Sequence, residues 1–143
     1  MFLFDTDHLV IVQRAVQPEA DRLRQHMARH SQSDFYLSII SVHEQMLGAS
    51  KYVAQARTRS SVIRGYQMIE SAMLDYNQFR ILPFDEPAAI RFDDLRKLGV
   101  RIGTMDLRIA SIALSHKYTV LTRNTVDFDK VPGLCVEDWT TGT

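Results

Sequence analysis

The chain has 143 residues, of which 45% are hydrophobic and 24% are charged. This length and composition predict one globular domain, residues 1–143, and exclude a disordered or fibrous protein. The 17 Lys and Arg residues balance the 17 Asp and Glu residues, so a nucleic-acid site would have to be a local patch rather than a general positive field.

The cysteine count and the apolar pattern indicate where the protein works. Its only cysteine, Cys135, can form neither an intrachain disulfide nor a cysteine-based zinc site, which favours a reducing compartment. No apolar run approaches the roughly 18–20 residues that a membrane-spanning helix needs. The apolar run Met1–Phe4 is followed directly by Asp5, so it does not continue as the apolar segment of a signal peptide. We therefore expect a cytoplasmic protein without a membrane anchor.

Apolar periodicity and turn residues predict strands that alternate with helices. In chain order, the predicted elements are a strand at Phe2–Phe4, helices at His8–Ala15 and Arg22–His30, a strand at Phe35–Ile40, a helix from Ser41 through Ala49, one or two helices within Val53–Tyr76, a strand at Phe79–Leu82, helices at Glu86–Leu98 and Thr104–Leu114, a strand at Tyr118–Thr122 and a short apolar run at Leu134–Val136. This alternation implies crossover connections. We therefore predict a three-layer α/β domain with a mainly parallel central sheet flanked by helices.

Residue types at the helix starts support these boundaries. The side chains of Asp5–Asp7 favour capping the first helix. Ser41 and Glu44 have the spacing of a capping box, and Thr104 is suited to cap the helix that follows it. That last helix is apolar almost all round, so it should lie in the interior.

Acidic residues follow the predicted strands at the carboxyl edge of the sheet, where open parallel sheets bind ligands. Asp5 follows the first strand, and Glu44 lies one turn into the helix after the second. Asp106 opens the interior helix, and Asp127 follows the strand at Tyr118–Thr122. We expect these four side chains to meet at one edge.

Each acid also has a purely structural explanation. Asp5 would cap a helix, and Glu44 would complete the capping box. Asp106 would complement a helix dipole, and Asp127 would form a turn with Asn124. Spacing alone does not decide between these roles and a catalytic centre.

Several short motifs occur in the order found in PIN-domain nucleases. They are Phe4–Asp7, Ser38–Glu44 with Gly48, Gly103–Ala110, and Leu121–Asn124 with Asp127 and Phe128. The segments that resemble the VapC branch of toxins in particular are Arg80–Asp85, Val131–Leu134 and Glu137–Trp139. The resemblance covers nearly the whole chain. It implies a divalent-metal-dependent endoribonuclease, the toxin of a toxin–antitoxin pair, that cuts RNA and inhibits translation or growth.

The resemblance also assigns roles to residues. It implies that Asp5, Glu44 and Asp106 form the family's acidic centre, with a fourth acid near Asp127. Asn124 stands where the fourth acid often falls, so Asp127 is either a ligand, a supporting group or a turn residue.

Asp7 is the second departure from the family, since such toxins often have Asn at this position. It would either add charge to the centre or cap the first helix, and capping is the favoured interpretation. His8 and His43 are close to the acids in the sequence, but we expect them to be core or surface residues rather than metal ligands.

Clustered carboxylates repel one another, and a divalent cation among them is the simplest remedy. Oxygen ligands without a cysteine or a paired-histidine motif suit Mg²⁺ or Mn²⁺ better than zinc. Asp5 and Asp106 would bind the metal most directly, while Glu44 and Asp127 would complete its shell or act on water. Hydrogen-bonding support is expected from three polar neighbours: Thr6, Thr122 and Asn124.

An acidic pocket repels RNA, so cations outside it must bind the phosphates. The main candidates are Lys51, Arg57, Arg59 and Arg64, with Arg108 and Arg123 as further ones. The same residues are equally consistent with the solvated face of amphipathic helices and with surface ion pairs.

The toxin resemblance implies two protein partners, an antitoxin in the groove beside the acids and a second copy in a homodimer. The apolar positions that would form such a surface are Met46, Leu47, Tyr52, Val53 and Tyr66, although residues at this spacing more often pack in a core.

Two other functions remain open. Asp5–Asp7 after an apolar strand also resembles haloacid-dehalogenase-like phosphatases, for which Ser41 and Asp93–Asp94 would have to supply further groups. A catalytically silent PIN fold that binds a partner protein is the alternative from a different class. Phosphatase activity with RNA untouched would support the first, and the absence of metal binding and RNA cleavage would support the second.

Overall fold

The computed structural model describes residues 1–142 as a five-stranded sheet with helices on both faces. The strands are β1 (Phe2–Phe4), β2 (Phe35–Ser38), β3 (Arg80–Leu82), β4 (Thr119–Leu121) and β5 (Val136–Glu137). The helices are α1 (Thr6–Arg14), α2 (Glu19–Met27), α3 (Ile39–Gln55), α4 (Arg59–Tyr76), α5 (Glu86–Lys97), α6 (Thr104–His116) and α7 (Thr125–Phe128). All strand pairs are parallel, in the order β3-β2-β1-β4-β5. The predicted α/β class with a parallel central sheet is confirmed.

One apolar core lies on each side of the sheet. Adjacent residues of a strand face opposite sides, so Leu3 packs in the core beneath α5 and α6, and Phe4 packs in the core beneath α1 and α2. Ile109 and Ile112 are fully buried, as predicted for an interior helix. The two cores give the three layers that were predicted.

The predicted capping box at Ser41 is wrong. β2 ends at Ser38, and Ile39 already begins α3. The Ser38 side chain caps this helix by accepting a hydrogen bond of 3.1 Å from the Ser41 backbone N–H. The apolar pair after Ser38 was predicted to continue the strand, but the helix buries Ile40 and leaves Ile39 exposed.

Other boundaries also differ from the prediction. α3 continues past Ala49 to Gln55, and α2 begins at Glu19 rather than Arg22. Gly103, not Thr104, is the capping position of α6. The apolar run at Leu134–Val136 contributes only its last residue to β5. Within residues 1–142, none of the helices is both long and apolar enough to cross a membrane.

The sheet order places the candidate site. β1 is central, and the chain crosses to β2 on one side of it and to β4 on the other, which makes the carboxyl end of β1 a topological switch point. The register aligns Phe4 with Leu37 and with Leu121. The residues that follow these three positions therefore emerge together at one edge.

Candidate active site

Asp5 lies at the centre of this edge and is nearly inaccessible to solvent, with 6% exposure. It follows β1 and caps α1, so its position is fixed by both elements. Its Oδ1 accepts a hydrogen bond of 2.7 Å from the Thr6 backbone N–H, and its Oδ2 accepts one of 2.7 Å from the Thr122 hydroxyl. Burial, with contributions from the charges of Asp7 and Asp106, raises the pKa of Asp5 to about 7. The site therefore holds a carboxylate that its surroundings do not fully neutralise.

Glu44 enters the site from the second turn of α3. Its Oε1 accepts a hydrogen bond of 3.3 Å from the hydroxyl of Thr6, which also donates to the Ser41 hydroxyl at 3.1 Å. Burial and the charge of Asp106 raise the pKa of Glu44 above its usual range. Thr6 therefore ties the start of α1 to the start of α3, as expected of a supporting residue.

Asp106 occupies the first turn of α6, and the Asn124 side-chain amide joins it to Asp127. Asn124 Nδ2 lies 3.4 Å from Asp106 Oδ2 and 3.1 Å from Asp127 Oδ2. Burial, followed by the charges of Asp127 and Asp7, raises the pKa of Asp106. In the structure, Asn124 therefore lies in the site between Asp106 and Asp127 and is hydrogen-bonded to both.

Asp127 differs electrostatically from the other three acids. It lies on α7, and its Oδ1 accepts a hydrogen bond of 3.1 Å from Lys130 Nζ. The hydrogen bonds from Asn124 and Lys130 lower the pKa of Asp127. Its charge is therefore largely satisfied at the surface, whereas Asp5, Glu44 and Asp106 carry charge that their environment opposes.

Asp7 has a role that the sequence did not suggest. It does not cap α1. Instead, its carboxylate accepts hydrogen bonds from the Arg123 backbone N–H at 2.9 Å and from the Thr122 hydroxyl at 3.3 Å. Burial would raise the pKa of Asp7, but the bonds from His8 and Arg123 outweigh burial and lower it. Asp7 therefore ties the start of α1 to the loop after β4.

His8 supports this link from the core. The Trp139 backbone N–H donates to His8 Nε2 at 3.2 Å, so the other ring nitrogen, Nδ1, carries a proton and donates to Asp7 Oδ1 at 2.9 Å. His8 is fully buried and His43 is exposed, in agreement with their predicted structural roles. Apart from each other, the partners of Asp7 and His8 are more than 100 residues away in the chain, so no local sequence pattern predicts them.

The donor set suits a hard divalent cation. Within residues 1–142, no three His, Cys, Asp or Glu side chains converge closely enough to hold one ion between them. Mg²⁺ commonly keeps several waters and binds only one or two carboxylates, so such convergence is not required. The raised pKa values of Asp5, Glu44 and Asp106 indicate excess negative charge that a cation would offset.

The predicted RNA-binding cations lie away from these acids. Lys51, Arg57, Arg59 and Arg64 are all exposed on α3, α4 and the segment between them. Arg64 lines a groove of about 410 Å³ between α1, α3 and α4, together with Arg14 and Gln45. None of the four acids of the site, Asp5, Glu44, Asp106 and Asp127, lines this groove.

We predict that Thr122→Val will raise the pKa of Asp5 further. The hydroxyl that donates to Asp5 Oδ2 stabilises the charged carboxylate, and valine has the same shape without the donor. A carbon-detected NMR titration of the Asp5 carboxyl in metal-free protein measures the change. Thr122→Ser keeps the hydroxyl and serves as the control. An unchanged Asp5 titration in Thr122→Val would contradict this role of the hydroxyl.

Comparisons with known proteins agree with this arrangement. The family model described as "PIN domain" matches residues 2–134. The chain is 28% identical to "tRNA(fMet)-specific endonuclease VapC" of Salmonella typhimurium, over 96% of this chain and 97% of that protein. It is 31% identical to "Ribonuclease VapC1" of Rickettsia felis, over 69% of this chain and 72% of that protein.

A solved structure extends the likeness to the fold. The chain resembles one chain of a "Toxin-antitoxin complex from Klebsiella pneumoniae", with a TM-score of 0.68, 25% identity and coverage of 97% of this chain and 98% of that one. The family model spans nearly all of the residues that form the sheet and its acidic edge. The chain therefore belongs to the PIN-domain family, in agreement with its sequence motifs, and is similar to the VapC members of that family.

Proposed function

We propose that this protein is a divalent-metal-dependent endoribonuclease that acts as the toxin of a toxin–antitoxin pair. The observation that carries the proposal is the group formed by Asp5, Glu44 and Asp106 at the carboxyl edge of a PIN fold, where burial and the charges of neighbouring acids raise the pKa of each carboxyl. Relatives that match most of the chain are named as a tRNA(fMet)-specific endonuclease and as a ribonuclease, which supports RNA as the substrate.

Asp5 and Asp106 would hold Mg²⁺ or Mn²⁺ most directly, with Glu44 and Asp127 completing its surroundings. When bound, such an ion supplies a water nucleophile and offsets the charge that develops on the phosphodiester. Thr122 fixes the orientation of Asp5, and Asn124 fixes that of Asp106. Glu44, with its raised pKa, is suited to accept the proton of the attacking water.

The test is cleavage of single-stranded RNA and transfer RNA by purified protein freed of its antitoxin. Cleavage with Mg²⁺ or Mn²⁺ that stops when EDTA is added is the expected result. Hydrolysis of a generic phosphate ester with RNA untouched would instead favour the phosphatase alternative. That alternative has little structural support, because Asp93 and Asp94 lie exposed on α5 rather than at the acidic edge. A protein that neither binds metal nor cuts RNA would favour the silent binding module.

The antitoxin is proposed to occupy the groove between α1, α3 and α4. This groove is lined by Gln45, the residue after Glu44 on α3, and by the cations Arg14 and Arg64. Among the predicted apolar surface residues, Leu47 and Tyr66 are exposed. Met46 packs against the core, and Val53 lies against Gly65 of α4. A homodimer is part of the same proposal and is tested by the mass of the free protein in solution.

We predict that Gly48→Trp will block binding of the cognate antitoxin. Gly48 lines the groove, and nothing lies within 4 Å of the position that its Cβ would take. The indole would therefore enter the groove without disturbing the core. Calorimetric titration with the antitoxin measures the loss, and nuclease activity should not change. Ser50→Trp, on an exposed position of α3, is the matched control. Full antitoxin affinity in Gly48→Trp would place the partner elsewhere.

A further inference from the structure

A second, basic pocket lies between α5, the loop that follows it and the first turn of α6. Its volume is about 320 Å³, and its lining includes Phe92, Arg96, Arg101 and Thr104. It is separate from the groove between α1, α3 and α4, whose lining shares no residue with it. The RNA-binding candidates on α3 and α4 do not line it either.

Arg96, which lines this pocket, lies near the Phe92 ring, as does Arg108 just outside the pocket. Arg96 Cζ lies 5.7 Å from the centre of the Phe92 ring, and Arg108 Cζ lies 5.8 Å from it. Within residues 1–142, neither guanidinium forms an ion pair with a carboxylate, and the same is true of Arg101. A guanidinium that lies over an aromatic ring keeps its N–H edge free to bind a phosphate with two hydrogen bonds.

The start of α6 adds to the positive character of the pocket. Gly103 occupies the capping position, so this helix start has no capping side chain. Thr104, the first residue of α6, lines the pocket. Backbone N–H groups and the helix dipole attract anions at such a start. Three kinds of anion-binding group therefore meet in one concave site: guanidinium, hydroxyl and backbone N–H.

The first turn of α6 joins this pocket to the acidic centre. Thr104 and Leu107 line the pocket, and Asp106 lies between them in the chain. The pocket and the Asp106 carboxylate therefore lie around the same helical turn, at a separation on the order of one helix diameter, ~10–12 Å. A strand of several nucleotides is long enough to reach both the pocket and the acids around this helix start, whereas a single small anion occupies only one of them.

We propose that Arg96 and Arg101 form a subsite for the RNA backbone, which holds a phosphate one or a few nucleotides from the bond that is cut. This inference rests on the proposed ribonuclease function. The acidic centre repels the substrate, and the subsite supplies attraction that the centre lacks. An acidic protein segment would also be attracted to the arginines. RNA fits better because the pocket lies at the first turn of α6, which also carries Asp106 of the proposed catalytic centre.

RNA affinity is measured in the Asp5→Asn background, so that the bound strand is not cut. The probe is a short, labelled single-stranded RNA titrated at several salt concentrations. Arg96→Gln and Arg101→Gln should each weaken binding roughly tenfold, equivalent to about 1.4 kcal/mol. Each should also lower the slope of log Kd against log salt by about 0.7 for every phosphate that the variant no longer binds. Arg91→Gln, an exposed arginine of α5 outside the pocket, should leave both quantities unchanged.

Conservative variants separate charge from geometry. Arg101→Lys keeps the charge but loses the planar pair of donors, so its affinity should fall between that of Arg101 and Arg101→Gln. Unchanged affinity and salt slope in the double variant Arg96→Gln/Arg101→Gln, while the wild-type protein cuts RNA, would overturn the subsite and leave the proposed function standing. A protein that neither binds nor cuts RNA would overturn both. Loss of affinity for a polyglutamate peptide, but not for RNA, would assign the pocket to an acidic protein segment.

Discussion

Asp5→Asn and Asp106→Asn are each expected to reduce metal-dependent RNA cleavage by roughly 10²–10⁴-fold. Both residues are proposed to hold the cation directly, and an amide offers it a neutral oxygen in place of a charged one. Burial and neighbouring acids raise the pKa of Asp5 to about 7. A bound cation should therefore stabilise the charged form of this carboxyl strongly. Initial rates of RNA cleavage at saturating Mn²⁺ measure the loss.

The control for this experiment is Asp93→Asn, which removes an exposed acid of α5 far from the strand ends. It should cut RNA at the wild-type rate. Cleavage that survives in both Asp5→Asn and Asp106→Asn would mean that a different site, or a contaminating nuclease, performs the reaction. Loss in Asp93→Asn as well would point to a general effect of acid removal on the surface.

Asp5→Asn should also stabilise the metal-free protein, by up to about 4 kcal/mol at pH 8. The raised pKa of Asp5, from 3.8 to about 7, means that ionising this carboxyl in the folded state costs about 1.4 kcal/mol for each pKa unit. Asparagine has the same shape and carries no charge, and its single oxygen can still accept the hydrogen bond from the Thr6 backbone N–H. Chemical denaturation in EDTA measures the difference in free energy of unfolding.

The pH dependence gives the sign of the effect. Below pH 3.8 the Asp5 carboxyl is protonated in both the folded and the unfolded states and has no net effect. Between pH 3.8 and about 7 the folded state retains a proton that the unfolded state has released, so stability falls as the pH rises. The advantage of Asp5→Asn should therefore grow over this range and level off above pH 7. Burial of Glu44 and Asp106 acts in the same direction.

Metal provides an internal control for the stability measurement. A ligand that binds only the folded state at a hundred times its Kd adds about 2.7 kcal/mol, so Mn²⁺ should stabilise the wild-type protein much more than Asp5→Asn. A wild-type protein that is more stable than Asp5→Asn at pH 8 in EDTA would contradict the claim that the charged Asp5 carboxylate destabilises the metal-free folded state. Asp93→Asn should change stability by no more than about 0.5 kcal/mol.

Much of the architecture could be predicted because it depends on local patterns. The short apolar run before Asp5 and the aromatic run before Ser38 have strand character, and the apolar helix from Thr104 had to be interior. The boundary at Ile39 could not be predicted in this way, because two isoleucines fit a strand and a buried helix start equally well. The deciding contact is the Ser38 side-chain cap, and Ser41 offered the same chemistry three residues later.

The candidate site was predictable to a different degree. Parallel strands bring Asp5, which follows β1, and Glu44, which lies on the helix after β2, to one edge of the sheet. The first turn of α6 brings Asp106 near them, since its charge raises the pKa of both. The tether from Asp7 to the loop after β4 could not be predicted, because its partner Arg123 is 116 residues away. The sequence does not predict the arginine pocket for a similar reason, since only the packing of α5 against α6 brings Arg96 and Thr104 into one pocket.

Asn124 limits the repulsion between the acids of the site in the metal-free protein. A carboxylate in place of Asn124 would add a further negative charge to the acids, and their repulsion would be strongest with no cation bound. The amide instead donates towards Asp106 and Asp127 at the same time. These hydrogen bonds lower the pKa of Asp127 and offset part of the rise that burial and Asp127 cause in the pKa of Asp106. Such a neutral bridge stabilises the folded state when no cation offsets the charge of these acids.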